Sequence, residues 1–110
     1  MANAFKNKTQ RQIGTSLTAI ESYTVAGSTE TTIIGLTISN TTTSVIEVDA
    51  TLNDGSNDFY IVKNAPVPAG GALVAVGGDQ KVVLMPGDSI KVKSDTATSA
   101  DVIMSILEIT

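Results

Sequence analysis

Apolar and polar residues alternate with a period of two along much of this chain, and turn-forming residues interrupt the alternation at intervals of roughly ten positions. Successive side chains of a strand point to opposite faces, so this alternation predicts half-buried strands. The clearest case is 46–52, where Ile46, Val48, Ala50 and Leu52 face a core while Glu47, Asp49 and Thr51 face water. Further strands are predicted at 17–25, at 31–39 with Ile34, Leu36 and Ile38 on one face, and at 59–63, 72–76 and 81–85. Another covers 89–94, with Ile90 and Val92 inward and Lys91 and Lys93 outward. The last, 102–109, is apolar on both faces, which suits a central strand or one covered on its second face by another subunit.

The interruptions are turn chemistry. Asn53-Asp54-Gly55-Ser56-Asn57 joins two alternating runs, and Asp-Gly is a hairpin signal because Gly accepts the positive φ such turns need. Ala65 to Gly71 holds Pro66, Pro68, Gly70 and Gly71 and reads as a long connection, since proline cannot donate within a sheet. Gly77-Gly78-Asp79 and Pro86-Gly87-Asp88 read as sharp turns, and helix is expected nowhere beyond a turn near 94–100. The predicted fold is all-β: one antiparallel, jelly-roll-like sandwich of about eight strands over 13–110, with an extended N-terminal arm over 1–12.

Composition sharpens that picture. Val, Ile and Thr supply 37 of 110 residues, and β-branched side chains pack well on a pleated surface. Cys, His and Trp are absent, which removes the thiol nucleophile, the commonest metal ligands and the side chain that titrates near neutrality unaided. Without cysteine no disulfide contributes, so stability rests on packing, hydrogen bonds or assembly. A net charge of -4 argues against nucleic-acid binding through a broad basic face. The longest apolar runs fall far short of the roughly 20 residues that cross a bilayer, and 1–12 lacks the apolar centre of a secretory signal. The expectation is a soluble protein.

Charge is unevenly placed. Lys6, Lys8 and Arg11 give 1–12 a charge of +3, while 13–110 carry four basic and eleven acidic residues, a net of -7. Such a segment is either a frayed terminus or an arm that orders on an acidic neighbour.

Candidate chemistry is sparse. Asn53, Asp54, Asn57 and Asp58, with Asp49, gather oxygens around one hairpin, but their spacing is not that of a calcium loop and turn chemistry accounts for them. Gly70-Gly71 and Gly77-Gly78 precede no helix and no Lys-Ser/Thr pair, so neither is a phosphate loop. Glu21, Glu30, Glu47 and Glu108 are scattered, giving no carboxylate pair for acid–base work. Sugar binding wants an aromatic platform, and the aromatics number four: Phe5, Tyr23, Phe59 and Tyr60. No catalytic residue, cofactor, metal or small-molecule substrate is expected, and the chain reads as a building block that works through its surfaces.

Three stretches carry a resemblance. They are YTVAGSTETTIIGLTISNTT, VDATLNDGSNDFYIVKNAPVPAGGALVAVGGDQKVVLMPGDSIKVKSD and ADVIMSILEI, together about residues 14–109. In this order they resemble small structural proteins of tailed bacteriophages, in which a Tyr-x-Val strand, a Lys-Asn-x-Pro-x-Pro-x-Gly crossing and a Gly-Asp-Ser turn recur. Tyr60, Pro66, Pro68, Gly70, Gly87 and Asp88 fall on the shared turn and crossing positions, so no functional residue carries over. The resemblance implies a non-enzymatic virion component with a β-sandwich fold.

Two roles then compete. One is a capsid decoration or cement protein, seated between major capsid subunits on the capsid surface and stiffening the shell. The other is a neck or tail connector forming a ring, and a host-surface or carbohydrate-binding module stands behind both. A homo-oligomer within the assembly is expected, with the major capsid protein or neck and tail proteins as partners and neither nucleic acid nor membrane. The anchors expected from sequence are Lys6, Lys8 and Arg11 in the arm and an apolar seam of Ile103, Leu107 and Ile109 in the last strand.

Overall fold

The computed structural model describes residues 3–110, and nine strands account for most of them: β1 Asn3–Ile13, β2 Thr18–Ala19, β3 Glu30–Asn40, β4 Ile46–Asn53, β5 Asp58–Val67, β6 Ala72–Val76, β7 Val82–Leu84, β8 Ser89–Ser94 and β9 Ala100–Ile109. All pairings are antiparallel. One sheet runs β1-β9-β3-β6, with β7 beside β6 on the same strand, and the other runs β2-β8-β4-β5. Their inner faces enclose one core that includes Ile33, Leu36 and Ile38 of β3, Ile46, Val48 and Ala50 of β4, Ile90 and Val92 of β8, and Val102, Met104 and Ile106 of β9. An antiparallel sandwich is what alternation with this period requires.

The basic segment expected as an arm over 1–12 runs from Asn3 to Gln10 in register along β9, as the edge strand of the five-stranded sheet. Met1 and Ala2, the first residues of that arm, lie outside the described residues. The strand expected at 17–25 is reduced to Thr18–Ala19 followed by a single 3-10 turn, Ile20–Ser22. The chain turns there because Glu21 is drawn to β1: its N–H donates to Gln10 Oε1 at 2.9 Å, and its carboxylate receives the Thr9 N–H at 3.3 Å. Glu21 takes up a φ of 55° to do so.

Two bulges shift faces relative to the simple alternation. A register shift between Ile33 and Gly35 puts Ile33 in the core and turns Ile34 away, so Ile34 does not share a face with Leu36 and Ile38 as expected. On β4, Asp49 and Thr51 were expected in water, yet both are buried. The ladder to β5 shifts register on both sides of Ala50, and both polar groups are engaged by β5: Asp49 accepts the Asn64 N–H at 2.7 Å, and the Thr51 hydroxyl donates to Asp58 Oδ1 at 3.2 Å.

β5 also runs on through Pro66 to Val67, beyond the expected end at 63. It is the edge of its sheet, where a residue with no N–H costs no ladder bond, and Val67 is buried at its end. The following turn closes through the Gly71 N–H donating to the Pro68 carbonyl at 2.9 Å and carries the chain to β6 in the other sheet. At Met85-Pro86-Gly87-Asp88 the Asp88 N–H donates to the Met85 carbonyl at 3.0 Å, and Gly87 holds a φ of 91°. That is a type II turn, with proline and glycine at the positions it demands.

Candidate interaction surface

The outward faces of the two sheets differ in chemistry. On the β2-β8-β4-β5 sheet, Glu47, Asp49, Lys91 and Lys93 face out, and the Lys93 ammonium stands 3.8 Å from Asp49. A hollow of about 270 Å³ beside them is lined by Glu47, Asp49, Asn64, Lys93 and Asp95. This face is predominantly charged, with Asp49 buried beneath Lys93 and with Tyr60, 47% exposed, at its β5 edge, where the Lys63 ammonium stands 4.4 Å from the ring centre.

The β1-β9-β3-β6 sheet presents the opposite. Register places Phe5, Leu107, Thr32 and Val83 in one row across four strands. A second row is Thr9, Ile103, Thr37 and Val74, and between them stand Asn7, Ser105 and Gly35. None of these residues is charged. Phe5 is 78% exposed and Ile103 54% exposed, and Val74 and Val83 are exposed as well. A shallow hollow of about 370 Å³ beside Phe5 is lined by Lys6, Asn7, Ile34, Ser105 and Ile106. Charge stands toward the rim, with Glu30 at one end, Arg11 and Asp101 at the other, and Lys6 of the edge strand β1 beside the hollow. An uncharged centre with a polar rim is the anatomy of a protein interface.

The sequence-predicted residues divide across this surface. Ile103, Leu107 and Ile109 all lie on the outward face of β9, with Ile103 exposed and the other two half-buried. Lys6 and Lys8 lie on the other side of β1 and are engaged within the chain. The Lys6 ammonium is 2.8 Å from Glu108 Oε1, and Lys8 is 3.4 Å from Glu21 and 5.0 Å from the Tyr23 ring centre. Arg11 is exposed beyond the last regular pair of β1 with β9. The structure thus brings the three apolar candidates together and separates them from the two lysines.

Behind β1 stands a polar cluster that sequence reasoning missed. The Tyr23 hydroxyl donates to Glu108 Oε2 at 2.6 Å and lies 2.8 Å from Thr31 Oγ1. Burial, reinforced by the neighbouring Glu108, pushes the Tyr23 phenol up to about 12. Glu108 is held below the usual carboxylate range, first by the Lys6 ammonium and then by the Tyr23 hydroxyl, which together outweigh its desolvation. Nothing in the local sequence links 6, 23, 31 and 108. Only the register of three strands does.

The hairpin oxygens weighed as metal ligands are engaged in turn bonds. Asn53 Oδ1 receives the Gly55 N–H at 2.8 Å, and Asp54 Oδ1 receives the Ser56 and Asn57 N–H groups at 3.0 and 2.8 Å. These two bonds hold the Asp54 carboxyl below its ordinary range. Asp58 accepts from Asn53 and Thr51. Among the described residues no group of three or more Asp or Glu is placed to hold a metal ion.

No family model and no curated protein matches this chain in sequence. Its structure is similar to the crystal structure of a pentameric capsid protein isolated from metagenomic phage sequences, at 20% identity and a TM-score of 0.43. The match covers 91% of this chain and 59% of that one, so the chain spans less than two-thirds of the length of its structural neighbour.

The exposed apolar residues of the outward face, Phe5, Val74, Val83 and Ile103, come from β1, β6, β7 and β9. The sequence does not show that β3 and β9 set β6, β7 and β1 side by side.

Proposed function

We propose that this protein is a virion structural protein of a tailed bacteriophage, acting as a capsid decoration protein that seats on major capsid subunits through the outward face of its five-stranded sheet. The single observation that carries the reading is the uncharged face centred on Phe5, Ile103 and Leu107, set against a charged face on the other side of the sandwich. One sheet suits contact with a partner and the other suits solvent. The sequence resemblance supplies the virion setting.

Magnitudes favour a lattice role. Four strands about 4.8 Å apart and about seven residues at 3.4 Å each give a footprint of roughly 450 Å². A standard interface takes about 800 Å² from each partner, so one copy binds modestly through this face alone. Repetition over a symmetric shell, not a single tight contact, then supplies occupancy. A connector ring would need two unlike surfaces that meet head to tail, and a single uncharged face fits that less well.

Quantitative mass spectrometry of purified virions, scaled to the major capsid protein, tests the reading. Hundreds of copies per particle are expected. A dozen or so would replace decoration with a neck or tail ring, and absence from the particle would overturn the virion role.

A further inference from the structure

We propose that residues 3–10 form an exchangeable strand, whose second docking site is β9 of another copy of this chain. The proposal is independent of what the outward sheet face binds.

The strand is attached without being built into the core. None of residues 3–12 belongs to the buried apolar cluster, and the side chains of β1 on the core side of the sheet are Ala4, Lys6, Lys8 and Gln10. What holds the strand is its backbone ladder to β9 and a polar latch: Lys6 to Glu108, Lys8 to Glu21, Gln10 to the Glu21 N–H and the Thr9 N–H to the Glu21 carboxylate. Apolar burial, the dominant and non-directional contribution to cohesion, is largely missing here. Segments with few buried apolar contacts and exposed hydrogen bonds open first.

The hinge is equally well defined. Ile13 is 2% exposed, and its carbonyl accepts the Ser99 N–H at 2.9 Å, so the chain is pinned from that point on. Between Gln10 and Ile13 the register with β9 breaks, and Gln12 sits at a φ of 55°, left-handed for a residue with a Cβ. Its N–H donates to Asp101 Oδ1 at 3.0 Å. Straightening Arg11 and Gln12 relieves that conformation and swings residues 3–10 outward, a reach of about 27 Å.

The occupant follows from complementarity. Glu108 and Glu21, which hold the strand, both belong to the body of the molecule and are presented identically by every copy. A second copy therefore offers the same register, the same carboxylates and the same net negative body to a strand of charge +2. Exchange of an identical element is a low-cost route to association, because the bonds lost are remade unchanged. A foreign strand would have to match both the ladder and the latch.

The chain has no native cysteine, which allows a direct test. Asn7 and Ser105 face each other in register, both on the exposed side of the sheet. Two full-length preparations, N7C and S105C, are mixed, incubated at raised ionic strength to loosen the latch, and oxidised. Mass spectrometry then counts N7C–S105C disulfides between chains. A mixture of N7C with S56C, whose cysteine lies on the distant hairpin, reports random collision. The expected result is a yield at least several-fold above that control, rising with E108Q introduced into both partners. A yield equal to the control, with the N7C/S105C double variant closing readily within one chain, would overturn the proposal, since the strand would then be present and paired but never exchanged.

Discussion

Lys6 stands opposite Ile106 in the β1–β9 register, yet its ammonium bonds Glu108, two residues further along β9, at 2.8 Å. Diagonal neighbours in an antiparallel pair lie within reach of a long side chain, and here the reach decides what the strand does. By choosing the diagonal, Lys6 joins the Tyr23 hydroxyl on one carboxylate, so that β1, β9, the 3-10 turn region and Thr31 of β3 meet at a single group.

Removing the phenol tests that junction. Tyr23→Phe leaves Glu108 Oε2 and Thr31 Oγ1 without the hydroxyl they share, in a partly buried setting. A hydrogen bond to a charged group contributes about 1.5–3 kcal/mol. Urea denaturation should show a loss of that size with an unchanged m-value, because the surface exposed on unfolding stays the same.

The same cluster sets a pH dependence with a definite direction. The folded-state pKa of Glu108 lies below its ordinary value near 4.5, so the unfolded chain binds the proton first. The contribution of Glu108 is complete above that ordinary value and disappears as pH falls through the depressed folded value. At the other extreme, Tyr23 is raised from 10.0 to about 12, so its contribution is complete below pH 10 and is lost as pH climbs toward 12. Chemical denaturation across pH should therefore weaken at both ends. E108Q should flatten the acid limb, and Tyr23→Phe should flatten the alkaline one; an unaltered acid limb in E108Q would assign it to other carboxylates.

The two-residue period was enough to read most of the sandwich, because one face of each long strand is apolar wherever it meets the core. Val92, Val48 and Ile38 announce themselves this way. β1 does not, since its core-side residues are Lys6, Lys8 and Gln10, and a strand that contributes no apolar side chains has no alternation to show. Ile34 was misplaced for a related reason: a bulge changes which parity faces inward, and nothing at Ile33-Ile34-Gly35 distinguishes the two isoleucines beforehand. The seam of Ile103, Leu107 and Ile109 was legible as a second apolar face of the last strand. The latch was not, because Tyr23, Thr31 and Glu108 acquire meaning only once three strands are in register.

Turn geometry gives a sharp local prediction. Gly87→Ala places a Cβ on a residue at φ 91°, where no atom crowds it but the backbone itself disfavours it. A loss of about 1–2 kcal/mol is expected. Gly27→Ala, at an open site without positive φ, should be neutral or slightly stabilising. Thermal denaturation of the pair separates backbone strain from loss of a glycine as such.

The outward face and the core can be told apart by substitution. Leu36→Ala removes a fully buried side chain and should cost about 2–5 kcal/mol, as large-to-small changes in a packed core do. Ile103→Lys changes a residue that is already exposed, so stability should stay within about 0.5 kcal/mol of the parent. If the uncharged face seats the protein on its shell, that same lysine sits at the centre of the contact, where it must be desolvated without a partner. Particles assembled with Ile103→Lys should then carry far fewer copies than the parent at equal protein concentration. Lys91→Glu, on the charged sheet facing the other way, should leave occupancy unchanged. Equal occupancy for both variants would mean that the shell contact lies elsewhere on the sandwich, and a loss confined to Lys91→Glu would move it to the charged face.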